Sequence, residues 1–466
     1  MGLLVRLGLR FRRGFGRVTP DPFVLAVVLT VTVLLAALAF GDWPGAPAAA
    51  GLPQRIGVAL EAWAGSGLWK LMSFGMQMTL MLVVGTALAE APIVQRGISG
   101  LVRLASGPRT MVGLTAAVAI GLALINWSLS LIGAALLARE AGRVSEREGW
   151  RLHYPLLCAA AYTGLMVWHG GLSGTAPLKA TSEKDLIEVL GPELTAKVGV
   201  MPLSDTLFSP LNLFVTIGLF LIGPLLFAFM TPKRGRDPDP QPPPRLVDDA
   251  IVGFEPPPAD RMEALERSPW IAWLLGFPML AGLVLITIRR GAGQIDIDTV
   301  NLGLWVIAML LHGRPDRFLA ACERGIRGCT GIVLQFPLYA GIMALMAASG
   351  LSAMLSRAIA SAGPELLGLI TFLSAGLVNL FVPSGGGQWA VQGPIAMQAA
   401  VDTGVEPATL LMAIAYGDQW TNMIQPFWAL PLLAVTGVRA RDIVGYTCLW
   451  MLVGGVWIAA GMLLFG

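Results

Sequence analysis

Long apolar runs recur along this chain of 466 residues, and they limit the folds that it can adopt. One helix of about 20 apolar residues crosses the hydrocarbon core of a bilayer, and the run over residues 22–41 has that length. The chain is 13% charged, whereas a soluble domain is about 25% charged. The sequence therefore predicts an all-α multi-pass membrane protein that lies in lipid.

The charge and the cysteines exclude several other classes of protein. A net charge of +3 is too small to indicate a nucleic-acid partner. The four cysteines have no metal-ligand spacing, and we expect them to be small buried apolar side chains. The sequence has neither an HExxH zinc motif nor a Walker loop, so we expect no catalytic residues, no metal site and no ATP-driven transport.

The apolar runs predict about nine full spans and two re-entrant hairpins. The spans lie near 22–41, 67–90, 152–170, 205–231, 268–289, 298–312, 328–349, 409–435 and 443–465. Two other apolar regions, 110–138 and 364–400, do not fit ordinary spans. The first is too short for two crossings at about 20 residues each, and the second contains helix-breaking glycines. We predict that each enters and leaves the membrane on one side.

The basic residues predict the orientation of the chain. With the basic tail 1–21 inside and both apolar regions as hairpins, 24 of the 32 Lys and Arg fall on the inner side. An excess of Lys and Arg is typical of cytoplasmic loops. The Pro-rich segment 232–267 cannot bury enough apolar surface to fold alone, so we expect a cytoplasmic linker. It separates a first membrane half, 22–231, from a second, 268–466.

The two halves share a spacing of polar residues. Asn126 lies 36 residues before Tyr162, and Asn379 lies 37 residues before Tyr416, with small and polar residues around each asparagine. The predicted orientation brings one hairpin in from each side, which makes the halves inverted repeats. Secondary transporters with such repeats bind their substrates near the bilayer midplane, at the repeat interface.

The segment FVPSGGGQWAVQGPI (Phe381–Ile395) places a proline and three glycines within the second apolar region. Non-helical backbone at membrane depth is tolerated only where protein or a water-filled cavity satisfies it. Its freed N–H groups can hold a carboxylate, and its freed carbonyls can hold a cation. The alternative is a glycine-rich seam that lets helices approach closely.

Six segments carry a family resemblance over nearly the whole chain. They are FGMQMTLMLVVGTALA (Phe74–Ala89), INWSLSLIGA (Ile125–Ala134), GGLSGTAPL (Gly170–Leu178), DTLFS (Asp205–Ser209), VPSGGGQWAVQGP (Val382–Pro394) and AIAYGDQWTNMIQPFWALP (Ala413–Pro431). In them the chain resembles the short-chain fatty-acid transporters of the ion transporter superfamily. The resemblance implies uptake of a short-chain carboxylate, such as acetoacetate or butyrate, across a bacterial inner membrane. It also implies a homodimer and an elevator-like motion of the hairpin-bearing part.

Polar residues at the two hairpins are the candidate substrate contacts, since intramembrane polar groups are costly. They are Asn126, Ser128 and Ser130 in the first hairpin, and Asn379, Ser384, Gly385, Gly386, Gly387 and Gln388 in the second. The alternative role for the polar side chains among them is hydrogen bonding between helices.

Asp418 is the acidic residue most clearly inside a predicted span. It shares a helical face with Asn422 and Gln425, just before the helix-breaking Pro426. A fixed carboxylate repels an anionic substrate, so we assign these residues to a coupling ion, Na⁺ or H⁺. The alternative is a structural pair with a basic residue, for which no partner lies nearby in the sequence.

Several alternatives stay open. His169 and Ser173 are weaker site candidates, and GLSG (Gly171–Gly174) matches the short serine motif of rhomboid intramembrane proteases. An anion channel could also have two hairpins. A di- or tricarboxylate carrier is a further alternative, although the scarcity of basic residues near the hairpins favours a monocarboxylate. Four tryptophans near the motifs are either interfacial anchors or the wall of an apolar pocket: Trp127, Trp389, Trp420 and Trp428.

Overall fold

The computed structural model of the chain describes residues 22–44, 47, 51–70, 72–125, 127–150, 152–181, 183–232, 258, 260–290, 297–327, 329–351, 354, 363–380 and 385–465. Over these residues the regular elements are all helices. In the first half they are α1 (Pro22–Phe40), α2 (Leu52–Ala62), α3 (Met72–Glu90), α4 (Pro92–Arg103), α5 (Pro108–Ile125), α6 (Trp127–Arg147), α7 (Tyr154–Ala161), α8 (Thr175–Lys179), α9 (Glu183–Leu190), α10 (Pro192–Val198) and α11 (Pro210–Met230). In the second half they are α12 (Arg261–Glu266), α13 (Pro269–Arg290), α14 (Ile297–His312), α15 (Pro315–Ile326), α16 (Thr330–Ala348), α17 (Pro364–Asn379), α18 (Gly385–Thr403), α19 (Pro407–Thr421), α20 (Pro426–Thr436) and α21 (Ala440–Phe465).

Four helical segments within the described ranges are long and apolar enough to cross a membrane by length and composition. They are Pro108–Ile125, Pro210–Met230, Arg261–Arg289 and Ala440–Phe465. Shorter apolar helices lie at three other predicted spans, as Ala26–Phe40, Asn301–His312 and Val333–Ala348, and in the second predicted hairpin, as Pro364–Asn379. The all-helical class is therefore confirmed, while the number of full spans stays a prediction.

The two predicted hairpin regions are each a pair of helices. In the first, α5 and α6 pack against each other and meet at position 126. The second helix is longer than predicted, because its polar end continues helically to Arg147. In the second region, α17 and α18 also pack against each other, and residues 380–384 separate them in the sequence. Asn126 and Ser384 lie outside the described residues, and the re-entrant path of both pairs stays a prediction.

Two predicted spans are broken rather than continuous. Span 152–170 consists of α7 followed by the 3₁₀ turns Thr163–Met166 and Trp168–Gly170. Span 409–435 consists of α19, the 3₁₀ turn Asn422–Ile424 and α20. The second break has a direct cause in the sequence, since Pro426 has no N–H group to continue the helix. Both breaks expose backbone groups that the site must satisfy.

The helices form two packed groups. In one group, α3 packs against α14 and α15, and α1 packs against α16. In the other group, α17 packs against α19, α5 packs against α6 and α11, and α11 packs against α21. The second group contains both broken segments and both predicted hairpins. The tail 1–21 lies outside the described residues, as does most of the predicted linker, which ends in α12.

A cavity of about 330 Å³ lies where three helix ends meet. Ser209 before α11, Glu406 before α19 and Phe465 at the end of α21 line it. The predicted orientation places all three ends on the outer side of the membrane. Their proximity places the three ends on one common side, and the orientation itself stays a prediction.

Glycines allow close helix crossings at matching positions of the two halves. A Cβ atom on Gly164 would lie 2.5 Å from the carbonyl oxygen of Ala119, and one on Gly417 would lie 2.4 Å from that of Phe372. Ala119 is seven residues before position 126, and Phe372 is seven residues before Asn379. This common register supports the repeat relation between the halves.

Gly417→Ala is expected to destabilise the fold by about 1–3 kcal/mol, because its Cβ would meet backbone atoms of α17 that cannot move aside alone. The measurement is thermal unfolding of the purified protein in detergent. Gly282→Ala in α13 is the matched control, since its Cβ would meet nothing within 4 Å. A helical Gly→Ala change in open space is neutral or stabilising. Equal melting temperatures for the two variants would contradict the close crossing.

Candidate functional site

Backbone carbonyls that are freed at the break between α19 and α20 accept hydrogen bonds from a side chain of the first half. The Tyr162 hydroxyl, at the break after α7, lies 2.8 Å from the Asn422 carbonyl oxygen and 3.2 Å from that of Gln425. These carbonyls lie where the α-helical hydrogen-bond pattern is interrupted. Tyr162 is 2% exposed, so no bulk solvent could replace this donor. The two breaks therefore meet at one buried junction.

Amide side chains extend this junction to α17. The Asn379 Nδ2 atom donates to the Asp418 carbonyl oxygen at 2.8 Å and to Asn422 Oδ1 at 2.8 Å. The Gln425 Nε2 atom donates to the Asn379 carbonyl oxygen, also at 2.8 Å. The end of α17 is thus fixed against the break in the next helix, and the predicted face of Asp418, Asn422 and Gln425 lies within one polar network.

Asp418 and His169 form a pair across the two halves. His169 Nε2 lies 3.4 Å from Asp418 Oδ1, with the side chains 1% and 2% exposed. Within the described part of the chain, His169 Nε2 and Asp418 Oδ2 have no hydrogen-bond partner. A buried polar atom without a partner costs about 1–3 kcal/mol. The hydrogen-bonding capacity of the two side chains is therefore poorly satisfied while the imidazole is neutral. The alternative role of Asp418, a structural pair with a basic residue, now has a candidate partner in His169.

The second ring nitrogen of His169 defines the tautomer. The backbone N–H of Thr175 donates to His169 Nδ1 at 3.3 Å, so Nδ1 is an acceptor. In the neutral imidazole the proton then lies on Nε2, the atom that faces Asp418. The backbone N–H of His169 in turn donates to Gln419 Oε1 at 3.1 Å. Both ends of the imidazole thus have defined neighbours.

The loop after His169 holds the junction of the first hairpin. Ser173 Oγ accepts the backbone N–H of Trp127 at 3.0 Å, at the first residue of α6. The Leu172 N–H donates to the Leu124 carbonyl oxygen at 2.8 Å, at the end of α5. Residues 171–175, which we call the clasp loop, therefore hold the helix ends on both sides of position 126.

The second hairpin lies against the same histidine. A Cβ atom on Gly385 would lie 2.9 Å from His169 Nε2 and 3.1 Å from the Trp168 ring. One on Gly386 would meet only Thr175 Cγ2, at 3.7 Å. The start of α18 thus approaches His169 closely because it has no side chain there.

The glutamine of the second hairpin is tied to α17. Gln388 Nε2 donates to the Ala375 carbonyl oxygen at 2.8 Å and to Gln392 Oε1 at 2.7 Å. Its Oε1 atom is buried, with no hydrogen-bond partner among the residues that the structure describes. One end of this side chain is therefore structural, and the other can still accept a hydrogen bond.

Three tryptophans cluster beside the site. The ring centroids of Trp127 and Trp168 are 6.1 Å apart, and those of Trp127 and Trp428 are 5.2 Å apart. The Trp168 ring also lies 3.7 Å from the His169 ring. Trp127, Trp168 and Trp428 are 6%, 3% and 3% exposed. They are inside the protein, which favours the apolar wall over the interfacial anchors.

Of the other predicted site residues, some have structural roles and some lie outside the described residues. The Ser130 hydroxyl donates to the Ala119 carbonyl oxygen at 2.6 Å, which gives it a structural role between α5 and α6. Ser173 caps α6 and does not act as a nucleophile in this arrangement. Asn126 and Ser384 fall outside the described residues, as do the side chain of Ser128 and the surroundings of Gly387.

Asn212 was missed from the sequence, although it is a polar residue in an otherwise apolar span. Its Nδ2 atom donates to the Gly170 carbonyl oxygen at 3.0 Å, and its Oδ1 atom accepts from the Tyr416 hydroxyl at 3.1 Å. It therefore connects the first broken segment to α19. Gln419 was also missed, and its position beside Asp418 was the available signal.

Comparisons with known proteins identify the family of this chain. The family model of the short chain fatty acid transporters matches residues 3–465. A protein of Escherichia coli (strain K12), named “Putative short-chain fatty acid transporter”, is 35% identical over 99% of this chain and 100% of its own length. A protein of the same name from Haemophilus influenzae is 34% identical over 92% of each chain.

The chain therefore belongs to the short-chain fatty acid transporter family. It is a membrane transporter with a small-molecule substrate, since its family is one of transporters and not of enzymes. Two solved structures resemble it more distantly. The Alcanivorax borkumensis YdaH transporter is 17% identical, with a TM-score of 0.42 over 95% of this chain and 98% of its own. Neisseria gonorrhoeae MtrF is 16% identical, with a TM-score of 0.42 over 98% and 96%.

Gly385→Ala is expected to reduce substrate exchange roughly tenfold, and more than Gly386→Ala, because its methyl group would push the His169 and Trp168 rings. The measurement is exchange of labelled butyrate in proteoliposomes with equal amounts of folded protein. If the two substitutions reduce exchange equally, the close approach of Gly385 to His169 is unimportant for transport.

Proposed function

We propose that this protein is a secondary active transporter of short-chain monocarboxylates such as acetoacetate or butyrate. It works by alternating access, and its substrate is held where the two hairpins meet the broken segments. A coupling ion, Na⁺ or H⁺, acts at Asp418 with Asn422 and Gln425. The transporter lies in the bacterial inner membrane with its N-terminus in the cytoplasm, and a homodimer is the proposed assembly.

One observation carries the proposal: the broken segments of both halves meet at the contact between His169 and Asp418. An ionisable pair with both side chains nearly inaccessible is costly in a membrane protein. Such pairs are retained where an ion or a substrate uses them. Because the chain belongs to a transporter family, we infer that this use is transport.

The substrate carboxylate is placed at the start of α18. The first N–H groups of a helix have no partners within the helix, and they favour an anion. Gly385 and Gly386 add no side chain there, and Gly385 lies against the His169 ring. The cluster of Trp127, Trp168 and Trp428 is the proposed wall for the short acyl chain.

The charge balance supports a monocarboxylate over a di- or tricarboxylate. Over the described residues that form the junction, the basic side chain is His169, and the others are amides, hydroxyls and Asp418. A second substrate carboxylate usually requires an arginine that binds it with two hydrogen bonds. Carrier and channel differ in coupling, because saturable uptake driven by the gradient of another ion requires a carrier.

Asp418→Asn is expected to abolish accumulation against a gradient while exchange of labelled butyrate continues. The substitution removes the fixed negative charge that attracts the coupling ion, but it keeps the size of the side chain. Both activities are measured in proteoliposomes from one preparation, with proton and sodium gradients imposed separately. Protein-free liposomes are subtracted, because short-chain acids also cross bilayers unaided.

Citrate and succinate serve as competitors in the same experiment. Failure of butyrate and acetoacetate to exchange, with citrate exchanged instead, would show that the substrate assignment is wrong. Unchanged accumulation by Asp418→Asn would place the coupling ion elsewhere.

A further inference from the structure

We propose that the coupling ion is a proton, that His169 carries it with Asp418 as counter-ion, and that its binding opens the clasp loop. This inference rests on the proposed function, since it names the ion of the proposed cycle. It starts from the three contacts of the imidazole: Asp418 at Nε2, the Thr175 N–H at Nδ1, and Gly385 at the ring edge.

The Nδ1 atom is where an incoming proton must bind. The neutral ring already has its proton on Nε2, because Nδ1 accepts the Thr175 N–H. Uptake of one proton from water forms an N–H bond at Nδ1, and the ring becomes an imidazolium. Asp418 balances the new positive charge from 3.4 Å away. Release of the same proton to the other side of the membrane restores the neutral ring.

Protonation and the clasp loop are mutually exclusive. A protonated Nδ1 is a donor and can no longer accept the Thr175 N–H. Two N–H groups would then point at each other across 3.3 Å, so the start of α8 must move away. The adjoining Ser173 accepts the N–H of Trp127 at the first hairpin. The proton on His169 thus controls whether the clasp loop holds that hairpin.

The pair of His169 and Asp418 also contacts the second hairpin, so one proton on His169 can affect both hairpins. The Gly385 backbone lies against the edge of the imidazole ring that carries Nε2. A change in the charge or orientation of the ring therefore changes the environment of the proposed carboxylate site. This arrangement supplies the coupling between proton and anion that a symporter requires.

The other ionisable groups around His169 and Asp418 are hydrogen-bonded or lie near helix ends. This makes the pair of His169 and Asp418 the site of protonation. Two buried tyrosines lie on neighbouring elements, with the Tyr162 hydroxyl bonded to backbone carbonyls and the Tyr416 hydroxyl bonded to Asn212. The other elements packed against α19 and the Trp168–Gly170 turn carry their charged groups near helix ends. These groups are Arg109 of α5, Lys179 of α8, Glu365 of α17, Asp402 of α18, and Arg441 and Asp442 of α21.

The test uses His169→Gln, whose amide is polar but cannot bind a proton. Because the imidazole also borders the proposed carboxylate site, the quantity measured is the ratio of pH-driven accumulation to butyrate exchange in the same proteoliposomes, and we expect this ratio to fall about tenfold or more. His153→Gln is the matched control, because His153 is equally buried but pairs with the Tyr446 hydroxyl at 2.8 Å, away from this site. The control should keep both activities.

Two transport results would overturn the proposal. One is pH-driven accumulation by His169→Gln at the level of the His153→Gln control. The other is accumulation by the unsubstituted protein with a sodium gradient at equal pH on both sides. Absence of exchange of any short-chain carboxylate would be a failure of the proposed function instead.

A spectroscopic measurement tests protonation without any substrate. The chain has three histidines, so ¹⁵N-histidine NMR signals of the full-length protein can be assigned by single substitutions. When the pH is lowered, the His169 signal should change from that of a ring with its proton on Nε2 to that of a doubly protonated ring. Asp418→Asn should alter this pH dependence and leave that of His153 unchanged. A His169 signal that does not respond to pH, or that ignores Asp418→Asn, would overturn the assignment even if transport is observed.

Discussion

The backbone groups that are freed at breaks in helices must be hydrogen-bonded inside an apolar environment. The rest of this structure depends on that constraint. A break in a helix frees backbone groups, and no water is present in a bilayer core to bind them. Here each break is satisfied by the other half of the chain. Tyr162 donates to the carbonyls of the second break, and Gln419 of the second half accepts the backbone N–H of His169 in the first break. The two halves therefore cannot form their central segments independently.

This mutual dependence explains why the site is polar and yet inaccessible. The amides of Asn379 and Gln425 and the pair of His169 and Asp418 lie where the breaks cross, because only there do backbone and side-chain groups compensate each other. The same position contacts both predicted hairpins, through Ser173 at one and Gly385 at the other. A movement of either hairpin must change these contacts, which is the physical basis for the proposed alternating access.

The sequence predicted the helices, one break and the acidic residue of this site better than it predicted which residues contact each other. Apolar runs predicted the helical membrane fold, and Pro426 marked the second break because proline cannot continue a helix. Asp418 stood out as an acid in an apolar span. Its contact with His169, 249 residues away, was not predictable from spacing, because it depends on how the two halves cross. The first break was read as a full span, since its 3₁₀ turns consist largely of apolar residues.

Hydrogen–deuterium exchange of the protein in lipid nanodiscs, with and without butyrate, tests the central claim most directly. If the substrate binds where the breaks cross, amides in residues 163–175 of the first half and in 385–392 and 418–425 of the second should exchange more slowly together. Butylamine, which has the same chain length and the opposite charge, should leave all three segments unchanged. Protection confined to one half, or equal protection by butylamine, would contradict a shared carboxylate site at this junction.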